Sequence, residues 1–319
     1  MSEPLFLIPQ LHDKIWGGTT LGEFFNFQLA SDHVGEAWII SAHPNGVDTV
    51  TGGTYDKRTL ADLWANNKEL FGNATAEKFP LLVKFLDAKE DLSIQVHPDD
   101  EYAKAHANEL GKTECWYILD AKPGAKIYYG HNAQTPLELE TMINNQDWEH
   151  LLRQVEVKPG EFYYIPSGTV HALGAGVLAL EVQQSSDTTY RIYDFDRVDK
   201  TTGKLRELHL ADAIKVINVP SKERAVQPTT EIHEANIETR LADEKYFKVI
   251  KWDIKQQPQI FTQTHDKYTL AVVIAGAGTL TVEGQVYQLS KGQGLILPSN
   301  VTTWTIDGEI TVVLSQPNN

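Results

Sequence analysis

Short runs of apolar, β-branched and aromatic residues recur along the chain at 81–86, 92–96, 115–119, 126–129, 162–165 and 177–182, bounded by Gly, Pro or Asp. Such runs predict strands, because branched and ring side chains fill a pleated surface while the bounding residues turn the chain. Strands this closely spaced point to a sandwich or barrel. Apolar residues at helical spacing predict helices over 59–70, 98–110, 136–152 and 208–217. Thr135 followed by Pro136, with Glu138 three residues after the threonine, is a start signal for the third of these. Strand signals outnumber helix signals, so the expected class is mainly β with helical insertions.

A longer period lies above these elements. Lys158-Pro159-Gly160-Glu161-Phe162-Tyr163-Tyr164-Ile165-Pro166-Ser167 lines up with Ser290-Lys291-Gly292-Gln293-Gly294-Leu295-Ile296-Leu297-Pro298-Ser299, glycine and proline standing six apart in both. Upstream, Gln95-Val96-His97 is echoed by Gln263-Thr264-His265, and the stretch 116–128 around Gly124 by 270–282 with Gly276 and Gly278. Matches recurring in one order predict two copies of a β-unit. A polar stretch over 221–238, with Pro220 before it and Pro228 inside it, reads as a linker. The expected organisation is an elaborated unit over 1–220, the linker, and a smaller unit over 239–319.

Composition narrows the function. At 319 residues and 41% apolar, the chain exceeds the ~150-residue prior for one domain and can bury a sizeable core. Lys and Arg number 28 against 43 Asp and Glu, a net charge of −15 that repels polyanions, so nucleic acid and anionic membrane surfaces are not expected partners. Cys115 is the single cysteine, which excludes an internal disulfide or a Cys-rich zinc module. With neither a signal-peptide pattern nor an apolar run of spanning length, the expectation is a cytoplasmic protein, monomeric or a weak homo-oligomer. No P-loop or Gly-x-Ser-x-Gly elbow occurs, and Gly276-Ala277-Gly278 lacks the third glycine of a dinucleotide fingerprint.

The chemistry gathers in the first copy. Gly160, Pro166, Gly168 and His171 fit Gly-x5-Pro-x-Gly-x2-His, with His97 and Glu114 upstream. This resembles the two motifs of the cupin superfamily, which implies two cupin-type β-barrels of jelly-roll form and a divalent metal on histidines and a carboxylate. Two departures stand out: Ala175 replaces the usual asparagine after the second motif, and 16 residues separate His97 from Glu114. Alternation supports a site on its own terms. Ser93, Gln95 and His97 share one face of their strand, and Ala179, Glu181 and Gln183 share one face of theirs. Should both faces line one interior, two imidazoles, a carboxylate and an amide oxygen suit zinc, with other first-row divalent ions open. In the second copy Thr303 stands for His171 and nothing stands for Glu114, so that unit is expected to be structural. The remaining histidines of the first unit, and His233, are expected as ordinary hydrogen-bonded residues.

The blocks Trp16-Gly17-Gly18, Gly35-Glu36-Ala37-Trp38, Ser41-Ala42-His43-Pro44, Phe79-Pro80-Leu81-Leu82-Val83-Lys84, Leu92 through Asp100, Gly111 through Tyr117, Ile165 through His171, and Thr189 through Asp194 run in order along the chain. Together they resemble one family, the type I mannose-6-phosphate isomerases in their short bacterial form. The resemblance implies an aldose-ketose isomerase interconverting mannose 6-phosphate and fructose 6-phosphate through an enediol, with one zinc per chain. It implies Gln95, His97, Glu114 and His171 as zinc ligands and Arg191 as the active-site arginine, with a phosphate-binding position falling on Arg197. The chemistry needs a base and an oxyanion stabiliser. Glu181 is the candidate base, Lys112 a second acid/base candidate, Arg191 the charge stabiliser, and Ser93 with Arg197 the phosphate contacts. Two rivals stay open here: another metal cupin, such as an iron oxygenase, and a sugar-binding cupin without turnover.

Overall fold

The computed structural model describes residues 2–199, 202–222, 224–255 and 257–318. In it every residue of strand Val177–Gln184 is buried, between Leu81–Ala88 on one side and Glu114–Ala121 on the other. Alternation sends Leu178, Leu180 and Val182 into one core and Val177 and Ala179 into a second. The neighbours divide likewise: Leu81, Val83, Phe85 and Cys115 face the first core, Leu86, Ala88, Trp116 and Ile118 the second. These strands belong to a six-stranded antiparallel sheet completed by Phe162–Ile165, Val34–Ile40 and Gln10–Gly18. Because both faces are covered, its strands read as nearly continuous apolar runs rather than clean alternations.

A five-stranded sheet closes the second core, in the order Tyr190–Tyr193, Ile94–Val96, His171–Leu173, Lys126–His131, Leu152–Glu156. It contributes Ile94, Val96, Ile127 and Ala172 to the same apolar cluster, to which Leu139, Ile143 and Ala213 of the helices also belong. A ten-stranded sheet closes the first core with Phe247, Leu270, Val272, Ile274, Ile296 and Val313, and turns Ala271, Val273, Trp304 and Val312 to a third core of its own. The class is mainly β, and the facing sheets are consistent with a jelly roll.

The two sequence repeats take one geometry. Gly160 and Gly292 both sit at φ 91°, a left-handed turn that favours glycine. The Gly160 N–H donates to Ile118 O and the Gly292 N–H to Val273 O, while Ile118 and Val273 donate back to Glu161 O and Gln293 O. After each following strand, Thr169 and Val301 donate to the carbonyls of Pro166 and Pro298.

The helices begin where capping residues stand. Thr59 accepts from Asp62 N ahead of Leu60–Asn66, Asp99 from Tyr102 N ahead of Asp100–Ala107, and Thr135 from Glu138 N ahead of Pro136–Asn144. The stretch expected as one helix to 152 is two, since Asn145 and Gln146 end the first and Trp148–Leu151 forms a second. Helix Leu210–Val216 also forms, as does an unanticipated one, Thr20–Phe25.

Two features depart from the expected organisation. Within 221–238, Thr229–His233 is a strand paired with Asn236–Asp243. It lies at a sheet edge with its first four residues exposed, so it carries no apolar face by which alternation could reveal it. At the other end, Leu5–Ile8 pairs with Gly294–Leu297 and with Thr49–Thr51. The ten-stranded sheet thus takes strands from the first 51 residues, and the sheets do not divide at the expected boundary.

Candidate metal centre

Strand register brings the first group together. Across the five-stranded sheet His171 stands opposite Gln95, and Gln95 opposite Arg191, so three adjacent strands present one row. His97 follows on the strand that carries Ser93 and Gln95. From the six-stranded sheet Glu114 stands opposite Gln183, and Glu181 opposite both Lys84 and Trp116.

His97, Glu114 and His171 offer ligand atoms within 4.8 Å of one another, and all three are buried. The His97 Nε2 lies 3.3 Å from Glu114 Oε2 and the His171 Nε2 3.2 Å from Glu114 Oε1. On each imidazole the other nitrogen is spoken for: the Nδ1–H of His97 donates to Thr188 O at 2.9 Å and that of His171 to Thr169 O at 2.8 Å. A donating Nδ1 leaves Nε2 with its lone pair turned inward, which is how backbone carbonyls orient metal-binding histidines. Burial first, and the Lys112 ammonium second, bring the His97 pKa down to about 3, so it stays neutral. Glu114 Oε1 is buried and accepts no hydrogen bond. Burial pushes the Glu114 carboxyl up, but Lys112 and the two imidazoles outweigh it and hold it well below the usual range. An orphaned carboxylate oxygen facing two inward lone pairs fits a divalent cation. The Gln95 carboxamide lies 3.5 Å from His171 Nε2, and turning it over presents its oxygen at that point.

Beside this group the Lys112 Nζ contacts Glu114 Oε2 and lies 3.1 Å from His97 Nε2. Glu181 accepts from Trp116 Nε1 at 2.8 Å, and Trp116 packs edge-on against His171. Burial first, then the Glu114 charge, raises the Glu181 pKa against the pull of Lys112 and Lys84. From Glu181 an ion-pair chain crosses the sheet: Lys84 lies 3.7 Å from Glu181 and from Glu36, and Lys14 lies 3.2 Å from Glu36. Arg191 donates to Glu207 O, while its Nε is buried without a partner.

A cavity of about 280 Å³ opens onto these groups, lined among others by Ser93, Gln95, Lys112, Glu181 and Arg191. Arg197 is not in the lining. Its guanidinium is taken up by Asp194 and the Asp91 carbonyl, the ordinary role of a partly buried arginine pinning a turn, and Arg206 lines the cavity instead. Lys14, Glu36, Lys84, Asp187 and Arg206 line it too, and sequence reasoning gave none of them a role. For two of these a signal existed: Lys84 and Glu36 are charges inside wholly buried strands, where a charge needs a partner.

The second unit holds no such group among the described residues at the repeat positions. His265 and Thr303 are exposed, and the Gln263 amide is spent on the Leu297, Pro298 and Val301 carbonyls.

Comparison with known proteins agrees with this arrangement. The family model described as phosphomannose isomerase type I, catalytic domain, matches residues 5–118, and that described as mannose-6-phosphate isomerase, cupin domain, matches 236–317. The chain is 47% identical to the mannose-6-phosphate isomerase of Streptococcus mutans, over 100% of this chain and 99% of that one. It is 47% identical to mannose-6-phosphate isomerase ManA of Bacillus subtilis, covering 98% and 99%. The crystal structure of the mannose 6-phosphate isomerase from Bacillus subtilis superposes with a TM-score of 0.95 at 46% identity, covering 99% of each chain. With sheet layout, buried His-Glu-His group and full-length similarity in accord, the chain belongs to the type I mannose-6-phosphate isomerase family.

Proposed function

We propose that the protein is a metal-dependent isomerase interconverting mannose 6-phosphate and fructose 6-phosphate, with one zinc per chain held by Gln95, His97, Glu114 and His171. The observation that carries the reading is the pair of inward Nε2 lone pairs facing an orphaned carboxylate oxygen, beside a polar cavity that Gln95 and Lys112 line. When bound, zinc supplies Lewis-acid polarisation of the sugar's oxygens.

The chain's own residues supply the rest. Moving a proton between C1 and C2 through an enediol needs a base whose pKa is drawn toward neutrality, and Glu181 is buried, beside a second carboxylate, and raised. The Trp116 N–H fixes one of its oxygens, leaving the other to Lys84 and the substrate. Lys112 sits between the metal ligands and the cavity and can return a proton to a substrate oxygen. Arg191, with an unused buried N–H, faces charge developing on the enediolate. Ser93 offers a hydroxyl 3.5 Å from the Gln95 amide for a substrate oxygen. Arg197, held outside the cavity, is no longer assigned to the phosphate.

A coupled assay for fructose 6-phosphate formation tests the reading. Zinc-loaded protein is expected to turn over mannose 6-phosphate, and chelated protein to lose that activity and regain it on zinc addition. Full turnover after complete metal removal would remove the metal from the proposal, and no turnover in loaded protein would remove the isomerase.

A further inference from the structure

Lys112 and Glu114 follow on the chain's return from helix Asp100–Ala107, and three consecutive N–H groups hold that return in place. The Gly111 N–H donates to Asp100 Oδ1 at 2.9 Å, the Lys112 N–H to Pro98 O at 3.0 Å and the Thr113 N–H to Gln184 Oε1 at 3.0 Å. The Gln184 Nε2 in turn donates to Asp100 Oδ1 at 2.9 Å, so Asp100 holds one side of Lys112 directly and the other through Gln184. The fit is close: a Cβ on Gly111 would stand 2.6 Å from Asp100 N. The other oxygen of Asp100 is taken by the second unit. Tyr246, just ahead of strand Phe247–Ile254, donates its hydroxyl to Asp100 Oδ2 at 2.8 Å, and Lys245 Nζ lies 2.9 Å from the same hydroxyl. An ammonium can only donate, so the phenol oxygen accepts from Lys245 and its proton goes to Asp100. Burial raises the Asp100 carboxyl, but the Gly111, Tyr246 and Gln184 donors outweigh it and hold the group below its ordinary value, as a carboxylate.

We infer that Asp100 is a positioning residue for Lys112 and the proposed ligand Glu114, and that the second unit steadies the metal centre through Tyr246. The inference rests on the isomerase reading for what Lys112 and Glu114 do. Both are buried, and Lys112 Nζ contacts Glu114 Oε2 while lying 3.1 Å from His97 Nε2. Groups that must meet a metal and a sugar oxygen at fixed distances tolerate little movement, since a misplacement of ~1 Å can cost about 10²-fold in rate. An ionised acceptor suits the task, because charge-assisted hydrogen bonds are about twice as strong as neutral ones. Asp100 divides its two oxygens between the segment it fixes and the unit that fixes it. Asp100, Gln184 and Tyr246 line a hollow of about 350 Å³ and are absent from the lining of the cavity onto which Lys112 opens. None of them touches a sugar held in that cavity, so any effect they have on turnover passes through residues 111–114.

The test compares full-length Tyr246→Phe, Asp100→Ala and Asp100→Asn with the unaltered chain, reading zinc affinity by competition with a chromogenic chelator, kinetics of the zinc-loaded proteins on mannose 6-phosphate, and denaturant stability. Asp100→Ala is expected to weaken zinc binding and to lower kcat by about tenfold or more each, the worth of hydrogen bonds to a charged group, with a smaller change in KM. Tyr246→Phe removes only the hydroxyl and should lower both by about three- to tenfold. Asp100→Asn keeps one acceptor oxygen for Gly111 and Gln184 and should fall between the alanine variant and the unaltered chain; it and Tyr246→Phe carry the test should the alanine variant not fold. Lower stability with zinc affinity and kcat unchanged would make Asp100 a merely structural residue and overturn the inference, and so would a rise in KM at constant kcat. If the unaltered chain binds zinc but forms no fructose 6-phosphate, the isomerase reading falls and the zinc arm still decides: weakened binding in Tyr246→Phe upholds the inference, and unchanged binding overturns it.

Discussion

Glu181 illustrates how much a single position depends on its neighbours. Its carboxylate lies among Lys84, Trp116 and the Glu114 charge, and burial is the largest of the effects that raise its pKa. Removing that carboxylate while keeping its shape, as in Glu181→Gln, should lower both turnover and proton exchange at C2 by about 10²–10⁴-fold, the usual worth of a positioned base, with zinc content unchanged. Exchange persisting at the wild-type rate would move the base to Lys112 or a bound water. A second expectation concerns acid. In the metal-free protein His97 keeps its neutral form down to about pH 3, while an exposed histidine takes up a proton near 6.5. Between those values the unfolded chain binds the extra proton, so stability is complete above 6.5 and is lost as pH falls through the window. Burial raises the Glu36 carboxyl, but Lys84 and Lys14 prevail and hold it well below its ordinary 4.5, which adds a loss of the same sign below that pH. The unfolding free energy of chelated protein, from denaturant titrations, should therefore fall by on the order of a few kcal/mol between pH 6.5 and 4.5, and a flat profile would show that His97 protonates freely in the fold. Of the candidate ligands, alternation put Gln95 with His97, while Glu114 and His171 were reached through the motif resemblance. Lys14 and Arg206 of the cavity lining were not legible, since nothing in their local pattern tells which sheet layer they will face.

At the scale of elements, the stretch between His97 and Glu114 has a physical account. The chain leaves strand Ile94–Val96, makes helix Asp100–Ala107, and returns so that Lys112 N donates to Pro98 O and Gly111 N to Asp100 Oδ1. Two of the proposed ligands are thus anchored on either side of a closed helical excursion, and a longer spacing in sequence costs nothing in space. The Asp99 cap begins that helix, so Asp99→Ala should lower stability by about 1 kcal/mol and loosen the approach of His97 to Glu114. Denaturation and zinc affinity measured together check this, and an unaltered zinc affinity would uncouple the helix from the site. Elements with a buried face or a capping residue could be read in advance: the strands around Val177–Gln184 and the helix after Thr135 are examples. Those that rely on pairing alone could not. Thr229–His233 has no apolar face, and Leu5–Ile8 is four residues whose partner lies at the far end of the chain.

At the scale of the whole molecule, the duplication visible in sequence does not mean two separable parts. Leu5, Ile39 and Phe85 from the first unit and Phe247, Leu270, Ile296 and Val313 from the second belong to one core. At their contact Gly294 leaves no room for a side chain: a Cβ there would stand 2.4 Å from Ile39 Cγ2 and 2.6 Å from Ile39 O. Gly294→Ala should accordingly cost about 1–3 kcal/mol by overpacking, although it lies in the unit without metal ligands. Removal of the second unit has a larger consequence. A chain ending at residue 220 would leave Leu5–Ile8 with only the short Thr49–Thr51 as partner and expose the first-core face of the six-stranded sheet, the face carrying Leu178, Leu180 and Val182. The opposite face of those same strands carries Glu114 and Glu181, so a sheet that loses its backing also loses the register that brings the proposed ligands together. The full chain is expected to unfold in one transition, with far-ultraviolet circular dichroism and tryptophan fluorescence coinciding, and the shortened chain to aggregate or to bind zinc without cooperative structure. A shortened chain that folded cooperatively and bound zinc with the affinity of the whole would mean that the second unit is dispensable to the site, and that the shared core serves solubility alone.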